Sequence, residues 1–173
     1  MKVLAFGASS SKNSINQQLA HYAAKQIKDA DINLIDINDF EMPIFSEDRE
    51  KELGSPEQAQ RFFKAIGEAD VLVISFAEHN GSYTAAYKNL FDWTSRINMQ
   101  VFQSKPVLML ATSPGPGGAS TVLAAAKGSA PYFAADVKAA ISLASFYDNF
   151  DFESGTVTSG EFNQQLLDAI ETL

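Results

Sequence analysis

The chain has 173 residues, 46% of them hydrophobic and 20% charged, the balance of an ordinary globular protein able to form a core without staples. Its 21 acidic against 13 basic side chains give a formal charge of -8, and no stretch gathers lysine and arginine among aromatics. Nucleic acid is therefore not an expected partner, because phosphate neutralisation supplies most of such affinity. The lack of cysteine excludes disulfides, thiolate chemistry and cysteine-based metal sites, and fits a reducing, cytoplasmic setting.

The opening "MKVLAFG" has no basic region ahead of a long apolar core and reads as a strand, not a signal peptide. No segment approaches the roughly 18 apolar residues of a membrane helix, so no membrane partner is expected. The first apolar run, "KVLAF" (2 to 6), ends at Gly7. Between Gly7 and Asn16 lie four serines, a lysine and two asparagines, and a helical pattern then begins, with Ile15, Leu19, Tyr22, Ala23 and Ile27 on one face. Gly7 permits a tight turn, and the new helix directs free amide N–H groups and its positive dipole end at the loop. Ser9, Ser11, Ser14 and Asn16 add neutral donors and Lys12 one charge, which suits a single phosphate monoester. A helix cap alone needs one such residue. Neither a Walker A loop nor a Gly-x-Gly-x-x-Gly fingerprint is present.

A second run, "INLIDI" (32 to 37), leads into a long connection, residues 38 to 58. Connections of that length are lids, binding loops or interface elements, and its Met42, Pro43, Ile44 and Phe45 are expected to be buried, against this chain or a partner. Phe62, Phe63 and Ile66 mark the next helix, and "DVLVISF" (70 to 76) the third strand. The second polar loop follows, "AEHNGSYTAAYKNLFDWTSR" (77 to 96). It opens with an Asn80-Gly81 turn and continues into a helix over 83 to 96 whose Tyr83, Tyr87, Leu90, Phe91 and Trp93 form a packing face. Beyond "KPVLMLAT" (105 to 112) comes the third loop, "TSPGPGGAS" (112 to 120), a stiff backbone with few side chains that lets a flat ligand approach peptide groups. A helix over 118 to 134, a weaker strand "VKAAISLAS" (137 to 145) and a helix from Glu161 to Leu173 complete the pattern.

Strands without polar alternation, separated by helices, predict an α/β protein: one domain over 1–173 with a five-stranded parallel sheet between two helical layers. The flavodoxin-like order 2-1-3-4-5 fits, and it places ligands beyond the carboxyl ends of the strands, where the three polar loops fall.

Taken together, the phosphate loop, "AEHNGSYTAAYKNLFDW" and "TSPGPGGA" resemble the NADPH-dependent FMN reductase family. Its pattern runs Gly-Ser-x-Arg-x-x-Ser-x-Asn, Pro-Glu-Tyr-Asn-Gly-Ser, Lys-Asn-x-x-Asp-Trp and Ser-Pro-Gly-x-x-Gly-Gly, and "DINDFEMPIFSED" (36 to 48) resembles a further stretch of it. Order and spacing agree up to about residue 145. The resemblance implies FMN as cofactor and NADPH or NADH as co-substrate. It places Ser9, Ser11, Lys12, Ser14, Ile15 and Asn16 at the phosphate, and Ala77, Glu78, His79, Asn80 and Gly81 along the isoalloxazine. Ser113, Pro114, Gly115, Gly117 and Gly118 fall at the ribityl chain and pyrimidine side. It also implies a homodimer or homotetramer and a small-molecule electron acceptor: free flavin, quinone, azo or nitro compound, or metal oxyanion. Ser11 stands where the family has arginine, His79 where it has tyrosine and Ala77 where it has proline. No catalytic side chain and no metal are called for, since the flavin carries the chemistry.

Other occupants of this strand order remain open. A flavodoxin-type electron carrier shares fold and cofactor but lacks nicotinamide turnover. A signalling receiver domain needs clustered carboxylates after the first strand, where this chain has Phe6, Gly7 and Ala8. A serine hydrolase needs a Gly-x-Ser-x-Gly elbow, which is absent.

Overall fold

The computed structural model describes residues 1–173 and pairs five parallel strands in one sheet: β1 (Lys2–Ala8), β2 (Asp31–Leu34), β3 (Val71–Phe76), β4 (Pro106–Thr112) and β5 (Asp136–Leu143). Their order is β2-β1-β3-β4-β5, as the strand and helix alternation predicts. The register runs from Val3 opposite Val71 to Ala8 opposite Phe76, and shifts once between β4 and β5, at Val107/Leu108.

Both faces of the sheet are covered, which is why its central strands show no polar alternation. Leu4, Phe6, Leu72, Ile74 and Met109 pack on one side with α3 (Glu57–Glu68), α4 (Ala85–Ile97) and α5 (Ser120–Ser129). Val3, Ala5, Val73, Leu108 and Leu110 pack on the other with α1 (Ile15–Lys25) and α7 (Gly160–Ile170). Tyr87 and Trp93 are buried in the first of these layers, where Phe6 meets Phe62 edge to face with ring centroids 5.5 Å apart. No helix is long and apolar enough to cross a membrane.

The structure departs from expectation at the elements with the weakest periodicity. The second strand stops at Leu34, because the Asp36 side chain accepts the Asn38 N–H at 2.9 Å and turns the chain into a 3-10 helix, Ile37–Phe40. The long connection also contains α2 (Glu47–Leu53), capped by Ser46 and burying no residue, so it leaves no apolar stripe to read. Its apolar segment packs on this chain. Met42 is buried, and Phe45 lies edge-on to Trp93 at 5.1 Å, while the Trp93 indole N–H donates to the Pro43 carbonyl at 2.7 Å. Ile44 is 72% exposed. The helix expected over 118 to 134 ends at Ser129, and Pro131 carries the chain on as a 3-10 turn, Ala130–Phe133. After β5 come a short α6 (Phe146–Asn149) and a small hairpin of β6 (Phe150–Asp151) and β7 (Thr156–Val157).

Candidate active site

The three polar loops meet beyond the carboxyl ends of β1, β3 and β4, around a cleft of about 290 Å³. Gly7 makes the first turn possible by close approach. A Cβ there would lie 2.5 Å from the Gln17 amide nitrogen, and the Gly7 N–H donates to the Gln17 side-chain oxygen at 2.6 Å. Gln17 also donates to the Ile35 carbonyl at 2.9 Å, tying α1 to the chain beyond β2. Ser9 accepts the Ser11 N–H through its hydroxyl, and the Ser14 hydroxyl caps α1 by accepting the Gln17 N–H at 3.1 Å. Each amide N–H from Lys12 to Asn16 has no hydrogen-bond partner within the protein. Donors left over at a helix start, among hydroxyls, form an anion cradle.

Ser9, Ser11, Ser14, Ile15 and Asn16 all line the cleft, joined by Asn13. Lys12 is exposed in the same loop, outside the lining. The Asn16 side chain is also bonded within the protein. It is 3% exposed, its amide donates to the Thr112 carbonyl at 3.2 Å, and its carbonyl accepts the Ser75 hydroxyl at 2.7 Å and the Thr112 N–H at 3.2 Å. Its main-chain N–H and the second of its two side-chain amide N–H groups make no hydrogen bond within the protein. The side chain joins the starts of two polar loops to the head of α1.

In the second loop Ala77, Glu78 and His79 line the cleft. His79 and Ser82 exchange backbone hydrogen bonds at 3.0 and 3.1 Å, around Asn80 at φ 52° and Gly81 at φ 76°. Two successive left-handed residues define a type I′ turn, which Asn-Gly accommodates at least cost. That turn projects Asn80 and Gly81 as an exposed tip beside the cleft. Thr84 caps α4 and donates to the Ala8 carbonyl at 3.0 Å, fastening the loop to β1. The Glu78 carboxylate accepts the Val122 N–H at 2.8 Å, at the start of α5, where Ala119 provides no side-chain cap. Glu78 thus supplies a remote cap and a favourable charge to that helix.

Of the third loop, Ser113 and Pro114 line the cleft with Thr112. The loop is pinned to the segment after β5: the Ser145 N–H donates to the Gly115 carbonyl at 2.9 Å and the Phe146 N–H to the Ser113 carbonyl at 3.0 Å. Its glycines divide. An added Cβ on Gly115 or Gly117 would meet nothing within 4 Å, so both present open peptide faces. Gly118 is at φ 57°, and its Cβ would fall 2.2 Å from the Ser142 hydroxyl, so it serves packing. Tyr147 lines the cleft from beyond β5, and neither it nor Asn13 and Thr112 was expected. The only hint was an aromatic residue following the last strand pattern.

A model of the NADPH-dependent FMN reductase family matches residues 1–148. The chain belongs to this family. A 2-hydroxy-1,4-benzoquinone reductase from a Burkholderia species is 31% identical over 134 residues, covering 76% of this chain and 71% of that protein. An NAD(P)H-dependent FMN reductase of Pseudomonas aeruginosa is 34% identical over 116 residues, 66% of this chain and 61% of that one. In fold, the chain matches the flavoenzyme NAD(P)H:(acceptor) oxidoreductase of Paracoccus denitrificans with a TM-score of 0.77, over 99% of this chain and 93% of that one at 23% identity. FMN reductases of this family use FMN and NAD(P)H, and this chain is an oxidoreductase. The family match takes in all three loops and Tyr147, and stops before β6, β7 and α7. The amide cradle and the open glycine faces fit a phosphate with a flat ring attached.

Proposed function

We propose that this cleft holds FMN and that the protein is an NAD(P)H-dependent flavin or quinone reductase that works by a ping-pong cycle, in which the nicotinamide leaves before a small acceptor enters. The observation that carries the proposal is the run of unpartnered amides from Lys12 to Asn16. They hold the phosphate together with the Ser9 and Ser11 hydroxyls, and exposed Lys12 supplies the charge that arginine gives elsewhere in the family. Bound there, FMN would supply the hydride-accepting and electron-transferring chemistry that the chain's own side chains lack.

The chain's own residues bind, orient and polarise. Asn80 and Gly81, whose amides have no protein partner, would hold the redox edge of the ring and stabilise negative charge developing there. Ser113, Pro114 and the open faces of Gly115 and Gly117 receive the ribityl chain and pyrimidine side, with Gly118 holding that loop in shape from behind. Ala77, Glu78 and His79 flank the ring. Glu78 acts through its backbone, since its carboxylate is committed to α5. His79 packs along the ring edge, because hydride transfer needs no side-chain acid. A site this shallow discriminates weakly among acceptors, so free flavin, quinones, azo and nitro compounds and metal oxyanions are its substrate classes. A homodimer or homotetramer in the cytoplasm completes the proposal.

The test is an absorbance spectrum of the protein with FMN, before and after anaerobic NADPH and, separately, NADH. A bound-flavin spectrum that bleaches within seconds supports the reductase, and the faster nucleotide gives the preference. Binding without bleaching would make the protein an electron carrier. A sample that takes up no FMN would overturn the assignment of the cleft.

A further inference from the structure

The aromatic residues that follow β5 build a step at the rim of the cleft. Phe146 and Phe150 are buried in the layer with α1 and α7, stacked with ring centroids 4.6 Å apart at 19°. Two exposed rings stand on this foundation. Tyr147 is 59% exposed and Phe152 55%, and they lie nearly parallel, at 20° with centroids 5.9 Å apart. Phe152 also meets Phe146 and Phe150 edge-on, at 5.9 and 5.3 Å. The turn that presents it is held in shape, because the Asp151 carboxylate accepts the Glu153 N–H at 2.9 Å and the Ser154 hydroxyl at 2.6 Å. Tyr147 lines the cleft, and the Phe146 N–H is bonded to the Ser113 carbonyl, so the step continues the cleft outward from the third loop. Phe152 lies beyond the residues that the family model matches.

The charge around the step has one sign. Asp148, Asp151 and Glu153 are exposed beside the two rings, and no lysine, arginine or histidine follows Lys138 in the chain. We infer that the Tyr147–Phe152 step is an acceptor subsite that takes neutral, fused-ring quinones by stacking and disfavours anionic acceptors. The inference rests on the reading of the cleft as an FMN site. Two nearly parallel rings leave π faces on which a planar ring can stack with an offset. The carboxylates repel metal oxyanions and the diphosphate of NAD(P)H, whereas a neutral quinone meets no such cost. In the overall reaction the quinone gains the hydride of NAD(P)H and one proton from water, and it leaves as the hydroquinone.

The test begins with FMN uptake, followed by calorimetric titration of the oxidised, FMN-loaded protein with naphthoquinone and with naphthoquinone sulfonate, the same ring carrying a negative charge. At low salt the neutral quinone should bind at least about threefold more tightly, and the gap should narrow as added salt screens the carboxylates. Phe152→Leu keeps the turn apolar but removes the outer ring. It should weaken the neutral quinone about three- to tenfold, the worth of one aromatic contact, while FMN affinity and the urea midpoint stay at the parent values. Phe152→Trp should restore quinone binding. The kcat/KM values for the two quinones should follow the same order. Sulfonate binding as tight as that of the neutral quinone in the parent protein would overturn the inference without any variant. So would neutral-quinone affinity within about twofold of the parent in Phe152→Leu, or an equal loss of FMN affinity there, which would make the step part of the flavin site. A parent protein that takes up no FMN overturns the reading of the cleft and this inference with it, whereas FMN uptake with any of the other failures overturns the acceptor subsite alone.

Discussion

Replacing Asn16 by leucine tests whether its side chain is a structural tie or a ligand. Leucine is close in volume, so little cavity is created, but all three hydrogen bonds to Thr112 and Ser75 are lost. Both partners are buried, with Ser75 at 0% and Thr112 at 1% exposure, and water cannot readily replace the missing groups. The Ser75 hydroxyl can rotate toward another acceptor, whereas the Thr112 N–H and carbonyl are fixed in the strand end. Two stranded backbone groups at about 1–3 kcal/mol each predict a loss of about 2–6 kcal/mol, a large part of the roughly 5–15 kcal/mol that a domain possesses. Urea denaturation measures it directly. Asn16→Asp sharpens the test. At neutral pH it turns a carboxylate oxygen toward the Thr112 carbonyl, whereas a protonated carboxyl can donate there, so its deficit should shrink as pH falls. A loss below about 1 kcal/mol for Asn16→Leu, together with a tenfold or greater loss of FMN affinity, would refute the tie and restore the side chain as a ligand.

Gly7→Ala should be among the most damaging single changes, because the new methyl group meets backbone atoms of Asn16 and Gln17 at 2.5 to 2.9 Å. Soluble yield and the urea midpoint report it. In the third loop, Gly117→Ala should leave stability within about 0.5 kcal/mol while weakening FMN binding by fluorescence titration, since its open face is the one a flat ligand needs. Gly118→Ala should instead cost about 1 kcal/mol or more in stability, from its left-handed backbone and the crowded Ser142 hydroxyl. Burial, helped by Lys25, holds His21 below its ordinary pKa of 6.5. The unfolded chain therefore takes up that proton first, so the stability at stake is present above about pH 6.5 and is lost as pH falls through the depressed folded pKa. Thermal melts between about pH 7 and pH 5 should show a shallower decline for His21→Gln than for the parent protein.

The sheet was legible because strands buried on both faces leave unbroken apolar runs, and Val71 to Ile74 and Val107 to Ala111 are such runs. The α2 helix was not, since periodicity requires a buried face and Glu47–Leu53 has none. Its legible trace was Ser46 ahead of two acidic residues, a capping signal without a stripe. In the site, the hydroxyl-rich first loop and the Asn80-Gly81 turn could be read directly, because each rests on local backbone requirements. Asn16 could not be resolved by the same means. A buried hub and a ligand both demand an amide, and the contacts that separate them lie 59 and 96 residues away. Gly118 poses the same difficulty, since a glycine needed for packing and one needed for access look alike in sequence. Tyr147 escaped because the fifth strand ends at Leu143, and the short helix that turns this ring toward the cleft begins only after it.

The bond from Glu78 to Val122 makes the second loop and the head of α5 one mechanical unit, and the bonds from Ser145 and Phe146 fasten the third loop to the sheet edge as well. Two of the three walls of the cleft are thus assembled before any ligand arrives. The exposed segment from Ser10 to Asn13 makes no such bond to the other two loops. A ligand of the kind proposed would therefore meet a largely preformed surface, and little conformational entropy would be surrendered by the protein on binding it.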